Sequence, residues 1–222
     1  ALGLSGIVFV SNVVQKHIEY AVSQKIPCVL VNSYSDKLPS VLSDNRKGAY
    51  LAGRYLIEHG HKTVALLAGV RSYLSNQERT AGFLQAFQEE GLSIPPELIL
   101  ETGSWLYDAA EKVCLNFFNT YTGEMPTALF AFNDRLATGA INAICKTGRT
   151  VPDDVSVIGY DNLGYYNIIS PRITTVETHI EAISESTVMH MIWQLNNGSC
   201  LPVKVLTPVE VISGETVRSL LC

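Results

Sequence analysis

The sequence predicts an α/β fold with two doubly wound lobes of parallel strands, and three observations carry that expectation. Short apolar runs alternate with longer segments of helical periodicity, the arrangement in which crossover helices join parallel strands. The run Val-Pro-Asp-Asp-Val-Ser-Val-Ile-Gly-Tyr-Asp-Asn over 151–162 is a short β-branched strand closed by a glycine and a carboxylate. Asp161 thus falls at a strand's carboxyl end, where open α/β sheets place their ligand contacts. Finally, about five βα units follow Gly60, whereas only two strands and two helices precede it.

Each element has a local reason. Residues 6–10 and 28–31 are apolar enough for buried strands, and between them Val14, Ile18, Ala21 and Val22 recur on one helical face. A loop with Pro39 and Asp44 follows. Residues 48–58 read as a helix stopped by Gly60, because glycine tolerates the left-handed conformation at helix ends. The strand 64–68 comes next, then a helix over 76–90 ended by Gly91. Strands follow near 98–101, 128–132 and 155–160, each preceded by an amphipathic helix. A last long helix over 180–195 turns Ile183, Met191 and Ile192 inward and leads to strands near 203–206 and 209–212. The expected lobes are 1–60 with 178–204, and 61–177 with 205–222. The first has too few strands to cover its sheet and reads as incomplete.

Composition excludes several classes. With 222 residues, 47% hydrophobic and 17% charged, the chain is that of a folded soluble protein rather than a disordered one. A net charge of −5 argues against a surface that wraps a phosphate backbone by itself. No apolar run is long enough for a membrane span, and the opening residues lack the basic and apolar regions of a signal peptide. The missing initiator methionine indicates that something upstream has been removed. Cys28, Cys114, Cys145, Cys200 and Cys222 are widely spaced and read as reduced thiols of a cytoplasmic protein. His17, His59, His61, His179 and His190 show no metal-ligand spacing, and neither a Gly-x-Ser-x-Gly nor a phosphate-cradling glycine motif occurs. Neither an enzyme nor a cofactor is expected.

Six stretches then fall in a telling order: 44–52, Asp-Asn-Arg-Lys-Gly-Ala-Tyr-Leu-Ala; 56–61, Leu-Ile-Glu-His-Gly-His; 78–83, Glu-Arg-Thr-Ala-Gly-Phe; 131–134, Ala-Phe-Asn-Asp; the 151–161 run; and 173–176, Ile-Thr-Thr-Val. In order and spacing they resemble the lac/gal repressor (LacI/GalR) family of transcriptional regulators over nearly the whole chain. The resemblance implies an effector-binding core of the periplasmic binding protein type I kind, with two α/β lobes and a ligand in the cleft. It further implies a homodimer through the carboxyl-terminal lobe, with contacts from 105–110, 136–146 and 165–170, and operator DNA bound only through an amino-terminal helix-turn-helix domain. Set against that pattern, this sequence is expected to lack that domain and the first two βα units of the amino-terminal lobe.

Residue by residue, the resemblance makes Arg79, Asn133 and Asp161 the polar effector contacts, Trp105 an aromatic face against the effector, Ser75 a small polar contact and Asp44 an acidic lining residue. Thr178 and Ile180 belong to a crossing segment that lines the cleft. These residue types suit such roles, since arginine offers two parallel charged hydrogen bonds, aspartate accepts from neighbouring hydroxyls, and an indole offers apolar area to a sugar's C–H face. Each has a plainer reading. Arg79 would be an exposed helix-terminal arginine, Asp161 turn punctuation, Trp105 a core or interface anchor and Asp44 a helix cap. Arg79 and Asp161 are expected to face solvent, so that truncating them leaves stability nearly unchanged. The purine repressors of the family carry a second arginine near Tyr73. Tyrosine at position 73 itself favours a neutral sugar or polyol here. The remaining alternative is a periplasmic sugar-binding protein of a transporter, which shares the fold and the cleft.

Overall fold

In a computed structural model, which describes residues 4–164, 170–198 and 201–221, the chain separates by contact density into two units. One comprises Ala1–Asp44 and His179–Pro208, the other Asn45–Thr178 and Val209–Cys222.

In the first unit, the strands β1 (Ile7–Val10), β2 (Cys28–Val31), β3 (Ser40–Ser43) and β9 (Lys204–Thr207) form one sheet in the order β1-β2-β3-β9, every pair parallel. Alternation along β2 sends Cys28 and Leu30 to one side, where Ile18 and Ala21 of α1 (Gln15–Ser23) and Leu38 cover them. Val29 packs on the other side with Val41 and with Ile183 of α6 (Ile180–Asn197). Helix α6 is tied to the sheet by Gln194, which is 2% exposed: its Nε2 donates to the Cys28 carbonyl at 2.8 Å and its Oε1 accepts from the Cys28 amide at 3.1 Å. Strand β3 corrects the expectation of a loop around Pro39, because a strand flanked by serines carries little apolar signal. Ser40 is nevertheless fully buried, its hydroxyl donating to the Leu38 carbonyl at 3.2 Å.

The second unit is built on β4 (Val64–Ala68), β5 (Ile99–Glu101), β6 (Ala128–Ala131), β7 (Ser156–Asp161), β8 (Thr174–Glu177) and β10 (Glu210–Ile212), in the order β10-β8-β7-β6-β4-β5. Only β10 runs antiparallel. The residues of β4 and β6 are buried throughout, as a sheet covered on both faces requires. Phe83 of α3 (Leu74–Glu89) stacks on Phe130 of β6 at 4.8 Å and on Phe87 at 4.9 Å, joining helix to sheet. Helix α4 (Tyr107–Thr120) packs against α5 (Asp134–Lys146). The chain leaves β4 toward β5 on one side and returns to β6 on the other, so the strand order reverses between β4 and β6. That reversal is where open α/β sheets form a crevice at their carboxyl ends.

The break expected at Gly60 falls between Asp44 and Asn45 instead. Helix α2 (Asn45–Glu58) belongs to the second unit because it packs along α3. A Cβ on Gly82 of α3 would lie 1.9 Å from the Arg46 carbonyl oxygen, so the two helices meet almost backbone to backbone. The other boundaries shift likewise, to Thr178/His179 and Pro208/Val209. Among the described residues, no helix is long and apolar enough to cross a membrane.

Candidate functional site

The carboxyl end of the six-stranded sheet gathers polar side chains from several elements of the second unit. Arg79 extends from the middle of α3 and is 7% exposed. Its Nε donates to Asn45 Oδ1 at 2.8 Å, its Nη1 to the Phe132 carbonyl just past β6, and its Nη2 to Asp161 Oδ1 at 3.1 Å. The guanidinium lies 3.6 Å from the centroid of the Tyr160 ring, a cation over an aromatic face. It therefore bridges the two sides of the strand-order reversal, α3 following β4 and the ends of β6 and β7. Both the surface reading of Arg79 and the expectation that it faces solvent are corrected here. A buried cation must be paired, and this one is held by a carboxylate, a carboxamide, a carbonyl and a ring.

Asp161 ends β7 with its side chain 27% exposed. Desolvation pushes its carboxyl above the ordinary aspartate value against the pull of the Arg79 charge and hydrogen bond, and Glu177 adds to the rise. The backbone here is unusual: φ is +99° at Asp161 and +50° at Asn162, two successive non-glycine residues in the left-handed half of the map.

Asn133 is the N-cap of α5, its Oδ1 accepting from the Leu136 amide at 2.7 Å, while its Nδ2 points to the Trp105 carbonyl at 3.5 Å. Trp105 lies over Gly69, next to the Tyr73 ring at 5.9 Å. Ser75 stands in the first turn of α3, half-buried. Thr178 sits behind the site, its hydroxyl donating to the Asp161 carbonyl at 3.2 Å. Asp44 and Ile180 belong to the other unit. Asp44 directly precedes α2, and its amide donates to the Thr207 carbonyl at 3.3 Å. Arg79, Asp161, Asn133, Trp105 and Thr178 are thus linked by contacts within one unit.

Sequence reasoning missed several participants. Asn45 and the Phe132 carbonyl hold Arg79, and no motif announces a carbonyl. Asn76, one helical turn before Arg79, is 5% exposed, and among the described residues neither its Oδ1 nor the buried Trp105 Nε1 has a hydrogen-bond partner. Buried polar atoms are nearly always satisfied, so an acceptor and a donor left over near a sheet's carboxyl end mark a place where a ligand or water bonds. Asp134, 2% exposed, accepts from Thr175 Oγ1 at 2.6 Å, and burial pushes its carboxyl up to about 7.

Comparison with known proteins adds an independent line. The family described as "Periplasmic binding protein-like domain" matches residues 54–217. The probable HTH-type transcriptional repressor ExuR of Bacillus subtilis is 30% identical over 218 residues, covering 95% of this chain and 63% of that protein. The HTH-type transcriptional repressor PurR of Pasteurella multocida is 33% identical over 196 residues, covering 87% of this chain and 58% of the repressor. The chain thus spans less than two thirds of the length of either relative. A crystal structure of a LacI family transcriptional regulator from Enterococcus faecium with bound ribose superposes with a TM-score of 0.87 over 99% of this chain and 81% of that one. At 23% identity that likeness shows the fold.

Proposed function

The chain belongs to the periplasmic-binding-protein-like domain family, and on that premise we propose that it is the effector-sensing core of a LacI/GalR-type regulator, as its repressor relatives suggest. It binds a small hydroxyl-rich molecule, a sugar or polyol, and thereby controls DNA binding by a helix-turn-helix domain of the whole protein. The observation that carries this reading is the hydrogen-bonded pair of Arg79 and Asp161 at the strand-order reversal. An arginine and an aspartate side by side offer charged donors and acceptors to neighbouring hydroxyls. Trp105 supplies a flat apolar face, and its indole N–H with Asn76 Oδ1 adds one donor and one acceptor. The ribose bound by the Enterococcus faecium regulator supports the ligand class. Asn133 contributes through its Nδ2 edge and Ser75 through its hydroxyl.

The named repressor relatives favour regulation over delivery to a transporter. No catalytic step is assigned to the site. The protein acts in the cytoplasm as a homodimer joined through the segments 105–110 and 136–146, and sedimentation gives its mass. The third expected dimer segment, 165–170, lies outside the described residues except for Ser170. A thermal-shift screen of pentoses, hexoses, polyols and nucleobases tests the ligand class: stabilisation by a hydroxylated compound supports it, and stabilisation by nucleobases alone overturns it.

A further inference from the structure

We infer that Asp134 is a positioning residue that holds the strained turn after β7 and so aims Asp161 at Arg79 and at the ligand. The inference rests on the reading of Asp161 as a ligand contact and adds to it the device that sets its direction. Asp161 and Asn162 both have positive φ, a conformation that non-glycine residues hold only when their surroundings fix it. The fixing group is the Asp134 carboxylate. It accepts hydrogen bonds from the Asn162 and Leu163 amides and from the Thr175 hydroxyl, the last at 2.6 Å. Two successive amides converging on one acid group leave the turn little freedom. Thr178 Oγ1, bonded to the Asp161 carbonyl, pins it from the other side.

The sheet has made room for this group. A Cβ on Gly159 would lie 2.2 Å from Asp134 Oδ1, so only glycine fits opposite the carboxylate. Asp134 occupies the first turn of α5, where the amide dipoles favour a negative charge. It directly follows Asn133, the N-cap of that helix, so one helix N-terminus carries both residues. Of the charged groups around it, Asp161 on β7 repels its charge directly, and Arg79 on α3 and Glu177 on β8 act on Asp161 in turn. Burial outweighs the hydrogen bonds and leaves Asp134 titrating at about 7, which gives the arrangement a signature. As Asp134 takes up a proton, its grip on the two amides weakens.

Nuclear magnetic resonance of the unliganded protein reads this directly, so its failure is separate from failure of the ligand reading. In the parent, the Asn162 and Leu163 amide shifts should follow one titration with a midpoint near 7. Asp134→Asn keeps an acceptor, so it should abolish that titration while keeping the two amides protected from exchange. Asp134→Ala should speed their exchange about tenfold or more and shift the Asp161 carboxyl carbon as its contact with Arg79 loosens. If Asp134→Ala does not fold, Thr175→Val, which removes one hydroxyl donor, should move the midpoint of the parent's titration upward. Amides that do not titrate in the parent, or that keep parental exchange and an unmoved Asp161 carboxyl in Asp134→Ala, overturn the inference.

Discussion

Asp161 Oδ1 lies 3.1 Å from Arg79 Nη2, a contact between residues 82 positions apart that closes the crevice where the sheet reverses its strand order. The pair is asymmetric. Arg79 is buried and held on three sides, whereas part of the Asp161 side chain reaches solvent. The arginine therefore holds the site together and the aspartate presents it.

Stability follows from that asymmetry. Arg79→Ala strips partners from Asn45, the Phe132 carbonyl and Asp161 and removes the cation from the Tyr160 ring. Loss of about 2–4 kcal/mol in urea denaturation is expected, within the range for breaking buried charged contacts. Arg79→Lys should recover only part of it, because an ammonium cannot reach three partners in a plane. A loss under about 0.5 kcal/mol, the scale of surface substitutions, would return Arg79 to a surface role.

Asp134 gives stability a defined pH dependence. Its folded value of about 7 stands above the ordinary 3.8, so its contribution is fully present below pH 3.8 and is lost as pH rises through 7. Relative to Asp134→Asn, the parent should lose about 1.4 kcal/mol per pH unit between pH 5 and 7 and level off above. Parallel stability curves for the two proteins would contradict this.

His61 works in the opposite direction. It is fully buried between the Thr127 hydroxyl and the Arg218 carbonyl, and desolvation lowers its value from 6.5. Its neutral form belongs to the fold, so its stability contribution is present above 6.5 and lost as pH falls below. Denaturation of His61→Gln below pH 6.5 should show a shallower decline than the parent. An equal slope counts against the assignment.

The first unit can be probed separately, since the chain's two tryptophans divide between the units, Trp105 in one and Trp193 in the other. Gln194→Leu removes both hydrogen bonds to the Cys28 backbone. In a Trp105→Phe background, Trp193 fluorescence should report a destabilisation of about 2–4 kcal/mol, the cost of leaving buried peptide groups without these partners. An unchanged urea midpoint would show that α6 needs no such tie.

Much of this was legible in the sequence because it rests on local pattern. Strands β4 and β6 are continuous apolar runs, β7 is built around Val157 and Ile158, and Arg79, Asn133 and Asp161 sit in motifs with fixed spacing. What escaped notice depends on partners far along the chain. Strand β3 hid behind its serines, and α2 joined the second unit through contacts with α3 that no periodicity encodes. Asn45 and the Phe132 carbonyl acquire meaning only once Arg79 has reached them. Asp134 stood in the Ala-Phe-Asn-Asp motif, but its burial against Gly159 and Thr175 comes from the pairing of β7 with β8.

The central claim, that this sheet end binds a hydroxyl-rich ligand through Asp161 beside Arg79, is tested most directly by isothermal titration calorimetry of the parent and Asp161→Asn. Asp161→Asn keeps the shape of the side chain and removes its charge, which avoids the instability expected of Arg79→Ala. D-ribose, hexoses, polyols and nucleobases serve as titrants. A hydroxylated compound should bind the parent and bind Asp161→Asn about tenfold to more than a hundredfold more weakly, as loss of a charged hydrogen bond worth roughly 1.5–3 kcal/mol requires. Equal affinity of the two proteins for that compound, or binding of nucleobases alone, would contradict it.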